Sequence, residues 1–302
     1  MPQKLEAAVG LPLKLSQVFG LFPYDSRTME RSFWGLTSLL LMALVSANLY
    51  FAVNTTSMLN FDTFVSNLFQ FLTVTPWLSS CALLLSSFSI RSEISGVVKR
   101  IQLVERRFNL NSRRCAPRSP FLLDFAVRTV GILCEITASY ILVRGKTIEQ
   151  FLIRLVGFYL THFIQNVYEL QFLAFIHLLT SWFSLLSKRL TLKSAITFLE
   201  SYNDLSVACD ELNRAFKVQN FVTVSNNFLL CVVDSYICQT TSSGVITAVT
   251  VNTFMRVALR IYQMNVFMIS LANLTKQARH FDEVLYTLTI TEDTKWLARD
   301  VS

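Results

Sequence analysis

Ionisable side chains interrupt several long apolar stretches of this sequence. They are Glu135, Glu169, Asp234, Arg256 and Arg260, each with mainly apolar neighbours along the chain. Ionised groups in apolar surroundings are costly unless they pair, so they commonly mark ion pairs, proton relays or ligand sites. We expect these five residues to form a charge network in which the carboxylates neutralise the two arginines.

A second polar pattern lies in the stretch that holds Glu169. His162, Gln165 and Glu169 fall at positions i, i+3 and i+7, and Tyr168 is adjacent. That spacing places the three side chains on one face of a helix. With Tyr140 from the preceding stretch, they could wall a cavity for a small organic ligand, opening outward. They could equally be hydrogen-bonding groups between helices, or partners for an arginine of the last stretch.

Four of the charged positions allow simpler interpretations. Arg128 lies near one end of its apolar stretch, and we expect its side chain to snorkel toward water. Asp234 lies near the outer end of its stretch and could be solvated. Arg256 and Arg260 fall at i and i+4, so both should face protein rather than lipid, in a structural ion-pair network.

Catalytic signatures are missing from the sequence. No G-x-S-x-G, H-E-x-x-H, Walker loop or G-x-G-x-x-G occurs, and the three histidines are widely scattered. We therefore predict no catalytic residue, no metal site and no cofactor, and we expect a protein that is not an enzyme.

The elements that must position these residues are long apolar runs. Residues 32–61 and 63–90 contain no Asp, Glu, Lys or Arg, and the chain is 52 % apolar and only 16 % charged. About 20 apolar residues suffice to span a bilayer as a helix. We predict one membrane domain, an all-α polytopic bundle of six transmembrane helices, at approximately 33–53, 63–90, 125–143, 155–186, 218–238 and 245–272.

Lysine and arginine segregate between alternate loops, which sets the orientation. Residues 91–118 hold eight of them, whereas residues 54–62 and 239–244 hold none. Positive residues favour the cytoplasm, so we predict that both chain ends are cytoplasmic. The net charge of +7 then faces anionic lipid of the bilayer and requires no nucleic-acid partner.

The segments outside the spans carry their own patterns. Residues 1–31 form a cytoplasmic arm, and residues 273–302 form a cytoplasmic tail with a short apolar stripe. Residues 196–217 show a helical apolar stripe that should run below the membrane and continue into the fifth span. Its apolar face must bury against its own bundle or a neighbouring subunit. Asn54 begins a glycosylation sequon in the first outer loop.

Several of these segments carry short sequence motifs. The arm reads Phe-Gly-Leu-Phe-Pro-Tyr at residues 19–24, just before the first span. Tyr202-x-x-Leu205 is followed by Leu212-Asn213-x-x-Phe216, which runs into Asp234-Ser235-Tyr236. Each motif is short, but their order and spacing cover nearly the whole chain. Together with the cytoplasmic N-terminus, they resemble insect gustatory receptors.

The resemblance implies a seven-helix chemosensory receptor in the plasma membrane of a chemosensory neuron. The resemblance also implies that subunits assemble as homo- or hetero-tetramers, which form ligand-gated cation channels with a tastant pocket open to the outside. In this arrangement the 196–217 helix lies where subunits meet, and the contact residues are Leu205, Leu212, Asn213 and Phe216. The family's Thr-Tyr and Gln-Phe motif of the seventh helix does not occur here, so we expect this form to lack the pore helix.

Other functions fit the same pattern. A six-helix transporter could use Glu135, Glu169, Arg256 and Arg260 as a substrate site or proton relay. A truncated receptor form could join tetramers without conducting, and a membrane-embedded scaffold would need no signalling of its own. The sequence leaves the ligand itself open.

Overall fold

Long helices make up the fold. The computed structural model describes residues 14–19, 21, 34–56, 63–108, 118–142, 159–189, 195–241 and 248–300, and within them it contains no strand. Besides a short helical turn at 14–18, the helices are α1 (Trp34–Thr56), α2 (Thr63–Ser87), α3 (Arg91–Phe108), α4 (Arg118–Leu142), α5 (Leu160–Arg189), α6 (Ala195–Thr241) and α7 (Ala248–Asp300).

Helix α5 is the central helix of the bundle. It contacts α2, α4, α6 and α7, and its side chains are buried on nearly every face from Thr161 to Leu186. A helix surrounded on all sides has no solvent to satisfy its polar groups. The polar side chains of α5 must therefore find partners on the helices around it.

Two of the described helices are long and apolar enough to cross a bilayer alone. They are α5 and the Thr253–Thr287 part of α7, and the bent pair Val74–Ser87 and Ser92–Phe108 is a third candidate. The predicted sixth span ended at residue 272, whereas the structure continues the same helix through the predicted tail. The division into six spans at the predicted boundaries stays a prediction.

Helices α6 and α7 are much longer than a bilayer is thick. They contain 47 and 53 residues. At 1.5 Å per residue these lengths are about 70 and 80 Å, against a hydrocarbon core of about 30 Å. Both helices must project well beyond one face of the membrane. The continuity of α6 agrees with the helix predicted to run from 196–217 into the fifth span.

Aromatic side chains fill the half of the bundle where α6 begins. Phe216 of α6 packs against Phe172 of α5, and their ring centroids are 5.2 Å apart. Closer to the start of α6, Tyr202 stacks on Phe281 of α7, and their ring centroids are 5.4 Å apart. Phe216 and Phe281 are both fully buried. This apolar core fixes α5, α6 and α7 relative to one another.

The predicted subunit-contact residues lie mostly inside this core, which corrects that expectation. Leu205, Leu212 and Phe216 are buried within their own chain, and only Asn213 is exposed. The reason is that α3 and α5 pack against α6 in the same chain and cover its apolar stripe. The sequence had left this alternative open, and the chain's own bundle supplies the partner.

Helix α3 is held against α6 by ion pairs at the edge of the core. Arg100 contacts Asp204 and Glu211, both at 3.3 Å, and Arg107 contacts Asp204 at 2.5 Å and Glu200 at 3.6 Å. We call these five residues the α3–α6 clasp. Gly96 permits the close approach, because a Cβ atom there would collide with the Glu211 carboxylate.

Candidate ligand site

The polar stripe of α5 lies in the half of the bundle away from the aromatic core. His162, Gln165, Asn166 and Glu169 follow one another at helical spacing, and the last three are buried. Buried polar groups of this kind are stable only when they are hydrogen-bonded. Each of the four has partners on a neighbouring helix. The partners of His162, Asn166 and Glu169 belong to two charged clusters, and those of Gln165 form a separate bridge.

Arg128 of α4 is the centre of the first cluster. Its guanidinium donates to Asp124 at 2.9 Å, to Asn166 at 3.2 Å, and to Glu169 through a short hydrogen bond. The side chain is only 1 % exposed. The expectation that Arg128 snorkels to water is therefore wrong, because two carboxylates compensate its charge inside the bundle.

Amide side chains complete the surroundings of this first cluster. Asn227 of α6 donates to Glu169 at 3.0 Å, and Gln263 of α7 donates to Asn166 at 2.7 Å. With Asp124 and Arg128, these contacts tie α4, α5, α6 and α7 together through a single connected network. Connected polar networks rigidify and specify a packing arrangement when their members are satisfied.

Gln165 makes a separate bridge between α2 and α6. Its amide nitrogen donates to the Pro76 carbonyl at 3.4 Å, and its amide oxygen accepts from Asn226 at 3.1 Å. Ser80, one turn after Pro76, donates to the Thr161 carbonyl at 3.2 Å. The α2 helix is thus fixed to α5 beside its internal proline, where helices commonly bend.

Asp234 of α6 is the centre of the second cluster. Its carboxylate lies 2.9 Å from Arg256 and 2.5 Å from Arg260, both on α7. Arg260 also contacts His162 of α5 at 3.0 Å. Asp234 is fully buried, so the suggestion that it is solvated is wrong. Its single carboxylate bridges two guanidinium groups that would otherwise face each other in apolar surroundings, and it neutralises one of their two positive charges.

A small cavity lies between the two clusters. Glu135, Glu169, Arg256 and Arg260 line it together with the polar side chains of His162, Gln165, Asn166, Asn227 and Gln263. Ile132 and Leu259 supply its apolar wall. The volume of the cavity is about 20 Å³, which is enough for one or two water molecules. This cavity is where a polar guest would meet four helices at once.

The structure brings together three of the five residues predicted to bind a ligand. His162, Gln165 and Glu169 all line the cavity. Tyr168 does not line it, because its hydroxyl donates to Asn220 of α6 at 2.8 Å and its ring packs on Phe216. Tyr140 lies in α4, but its side chain falls outside the described part of the structure.

The predicted charge network divides into separate parts. Asp234, Arg256 and Arg260 form one cluster as the sequence suggested, whereas Glu169 pairs with Arg128 rather than with α7. Glu135 is buried and lines the cavity, and its Oε2 atom has no hydrogen-bond partner among the described residues.

Sequence reasoning missed three polar residues of the site. They are Asn166, which follows His162 by four positions, Gln263, which follows Arg256 by seven, and Asp124, which precedes Arg128 by four. Helical spacing from residues already singled out would have found all three. Among the described residues, no group of three or more His, Cys, Asp and Glu side chains could hold a metal ion.

Comparison with known proteins covers nearly the whole chain. The family model for 7tm chemosensory receptors matches residues 11–299. No curated protein matches. The match includes all seven helices, both charged clusters and the cavity between them. It agrees with the resemblance to insect gustatory receptors and with an all-α polytopic membrane bundle. The chain belongs to the 7tm chemosensory receptor family.

Proposed function

We propose that this chain is a gustatory-type receptor subunit that binds a small organic tastant in the cavity between the two charged clusters. The observation that carries the proposal is the position of the cavity, at the meeting point of α4, α5, α6 and α7. The ligand enters from the extracellular side under the orientation predicted from the lysines and arginines.

Because the cavity is small, ligand binding in it requires the surrounding helices to move. Pockets for drug-sized ligands measure about 300–1,000 Å³, whereas the volume of this cavity is about 20 Å³. A tastant must therefore displace the helices around it. It shifts a two-state equilibrium only by binding one arrangement more tightly than the other. The α5–α7 contacts of the second cluster are the first to change.

The long helices give such a movement a path to the rest of the molecule. Asp234 lies near one end of α6, and the clasp residues Asp204 and Glu211 lie far along the same helix. Along α7, Arg260 lies at the cavity and Phe281 lies far from it in the aromatic core. A rigid displacement at the cavity would be felt at the clasp and in the aromatic core, beyond the membrane.

The displacement would gate a cation channel that the subunit forms with other gustatory-type receptors in the plasma membrane. Exposed apolar side chains on α6 and α7 support an assembly of this kind or contact with lipid. Phe221, Phe254 and Tyr286 are examples. Homo- or hetero-tetramers in a chemosensory neuron follow from the family resemblance, and membership in a receptor family agrees with a role that is not catalytic.

Co-expression tests the proposal. The chain would be expressed with another gustatory-type subunit and exposed to a tastant panel while calcium influx is recorded. Gln165→Ala and Glu169→Gln should each shift the half-effective concentration by about tenfold or more, because each leaves buried polar groups unpaired. Asp210→Asn, at an exposed carboxylate of α6 outside the clasp and the cavity, is the matched control. Responses unchanged by both cavity substitutions would remove the tastant site from this cavity.

A further inference from the structure

The buried ionisable groups around the cavity do not balance in charge. Among the described residues, four carboxyl groups belong to the two clusters and the cavity wall, and three guanidinium groups accompany them. The carboxyls are Asp124, Glu135, Glu169 and Asp234, and the guanidiniums are Arg128, Arg256 and Arg260. With histidine neutral, the ionised set carries one excess negative charge. Uncompensated charge inside a protein is strongly unfavourable, so it is removed by a bound proton or balanced by one more positive charge.

The existing arginines are already committed to other carboxylates. Arg128 bonds to Asp124 and Glu169. Arg256 and Arg260 both contact Asp234. The first cluster thus holds two carboxylates and one guanidinium, and the second holds one carboxylate and two guanidiniums. Glu135 takes part in none of the described ion pairs and is the one carboxyl group of this set outside them.

Glu135 also has a free hydrogen-bonding position directed at the cavity. Its side chain lines the cavity and the residue is only 4 % exposed. Among the described residues, no donor reaches its Oε2 atom. A carboxylate oxygen accepts hydrogen bonds only, so the missing partner is a donor. Charge and hydrogen bonding thus call for the same kind of group.

We infer that the cavity recognises the protonated amine of a compact ligand, with the Glu135 carboxylate as its anchor. An ammonium group provides three N–H donors and one positive charge, and its hydrogen bonds to a carboxylate are of the strong, charge-assisted kind. Glu169 and Gln165 line the same wall, and each of their side-chain oxygens accepts one hydrogen bond from the protein and has a lone pair left for another. The inference rests on the proposed function, because it names the ligand class of that same cavity.

Other ligand classes fit the charges less well. A carboxylate or phosphate ligand would add a second uncompensated negative charge beside Glu135 and Glu169. A neutral alcohol can donate to Glu135, but it leaves the excess charge in place. Arg256 and Arg260 repel an ammonium group. Asp234 cancels one of their two charges, and the carboxylates of Glu135 and Glu169 in the cavity wall attract the ammonium group. The small volume restricts the charged end of the ligand to a primary amine rather than a bulky quaternary group.

Binding to the purified full chain in lipid nanodiscs tests this assignment. The probes are propylammonium chloride, 1-propanol and sodium propionate, compared at equal ionic strength by thermal shift and by titration calorimetry. Propylammonium should bind at least tenfold more tightly than either other probe. Equal binding of propylammonium and 1-propanol to the wild-type chain would overturn the inference without any variant.

Substitutions then locate the anchor. Glu135→Gln should weaken propylammonium binding about tenfold or more, because it removes the charge and keeps the shape. Glu135→Asp retains the charge and should keep the preference for the amine over the alcohol, which provides a second variant if Glu135→Gln folds poorly. Glu200→Gln should bind like the wild type. Unchanged binding by folded Glu135→Gln would contradict the assignment.

The same probes separate this inference from the proposed function. If uncharged tastants open the channel through Gln165 and propylammonium does not bind, the receptor site stands and the amine preference is wrong. If propylammonium binds through Glu135 but no ligand alters calcium influx, the amine site stands and the gating proposal is wrong.

Discussion

Two groups of arginine–carboxylate pairs hold this bundle together, in opposite surroundings. Around the cavity, the side chains of Arg128 and Glu169 are 1 % and 4 % exposed. In the α3–α6 clasp, those of Arg100 and Asp204 are 31 % and 12 % exposed. The residue types are the same and the distances are comparable, so only the access of water differs.

That difference determines what each group contributes. Removing one partner of a buried pair leaves an uncompensated charge and costs about 3–5 kcal/mol. An exposed pair contributes about 0–1 kcal/mol, because water and salt screen it. The cavity pairs are therefore poor candidates for mere stabilisation, since apolar side chains could stabilise the same space more cheaply. Their position around a polar cavity fits a binding role instead.

The largest effect is expected from Asp234→Asn. This change leaves Arg256 and Arg260 buried without their shared carboxylate, and it should lower the free energy of unfolding by about 3–5 kcal/mol. Thermal unfolding of the detergent-purified chain, followed by size-exclusion chromatography, measures the loss. Asp234→Glu keeps the charge and is the control. A stability for Asp234→Asn close to that of the wild type would contradict the buried pairing.

Leu205→Ala should follow, with a loss of about 3 kcal/mol from the cavity left in the aromatic half. Leu205 is fully buried within its own chain, so the loss should appear in the isolated subunit at any protein concentration. If the loss appeared only as weaker assembly between subunits, Leu205 would be a subunit contact after all. Leu199→Ala, at an exposed position of the same helix, should have little effect.

The coupling free energy between Arg128 and Glu169 should be a smaller effect. Combining Arg128→Met with Glu169→Gln should destabilise the chain less than the sum of the single changes, by about 1–3 kcal/mol. A double-mutant cycle of thermal stabilities measures it. The parallel cycle of Glu169→Gln with Arg256→Met should give a coupling near zero, because Glu169 makes no ion pair with Arg256 among the described contacts. Equal couplings in the two cycles would refute the pairing.

Arg107→Ala in the clasp should have the smallest effect, below about 1 kcal/mol, and it should shrink further in high salt. Arg107 pairs with Asp204 and Glu200, and both pairs are reached by water. Arg106→Ala, at the exposed neighbouring position, is the reference. A loss of more than about 2 kcal/mol would mean that the clasp is as protected as the cavity pairs.

Much of the helical framework could be predicted from the sequence, because apolar length and helical period are local properties. The spacing of His162, Gln165 and Glu169 placed them together correctly. Tyr168 was grouped with them through adjacency in the sequence, yet neighbouring helix positions point about 100° apart. Its side chain accordingly packs against α6 rather than the cavity.

Partner choice could not be predicted, because it depends on how helices pack. Glu169 had three arginines within possible reach, and only the packing of α4 on α5 selects Arg128. The apolar stripe of α6 had two possible covers, the chain itself and another subunit. The local pattern is identical in both cases, and the packing of α3 and α5 distinguishes them.

Modification of substituted cysteines would test the ligand site most directly. Gln165→Cys lines the cavity, whereas Gln171→Cys lies on the same helix, buried and outside it. A methanethiosulfonate reagent applied from the extracellular side should modify Gln165→Cys, with the wild-type chain as background. An activating tastant at ten times the Kd measured for the Gln165→Cys chain should slow that modification about tenfold. It should leave any reaction at Gln171→Cys unchanged. Modification of Gln165→Cys at the same rate with and without the tastant would contradict the placement of the ligand in this cavity.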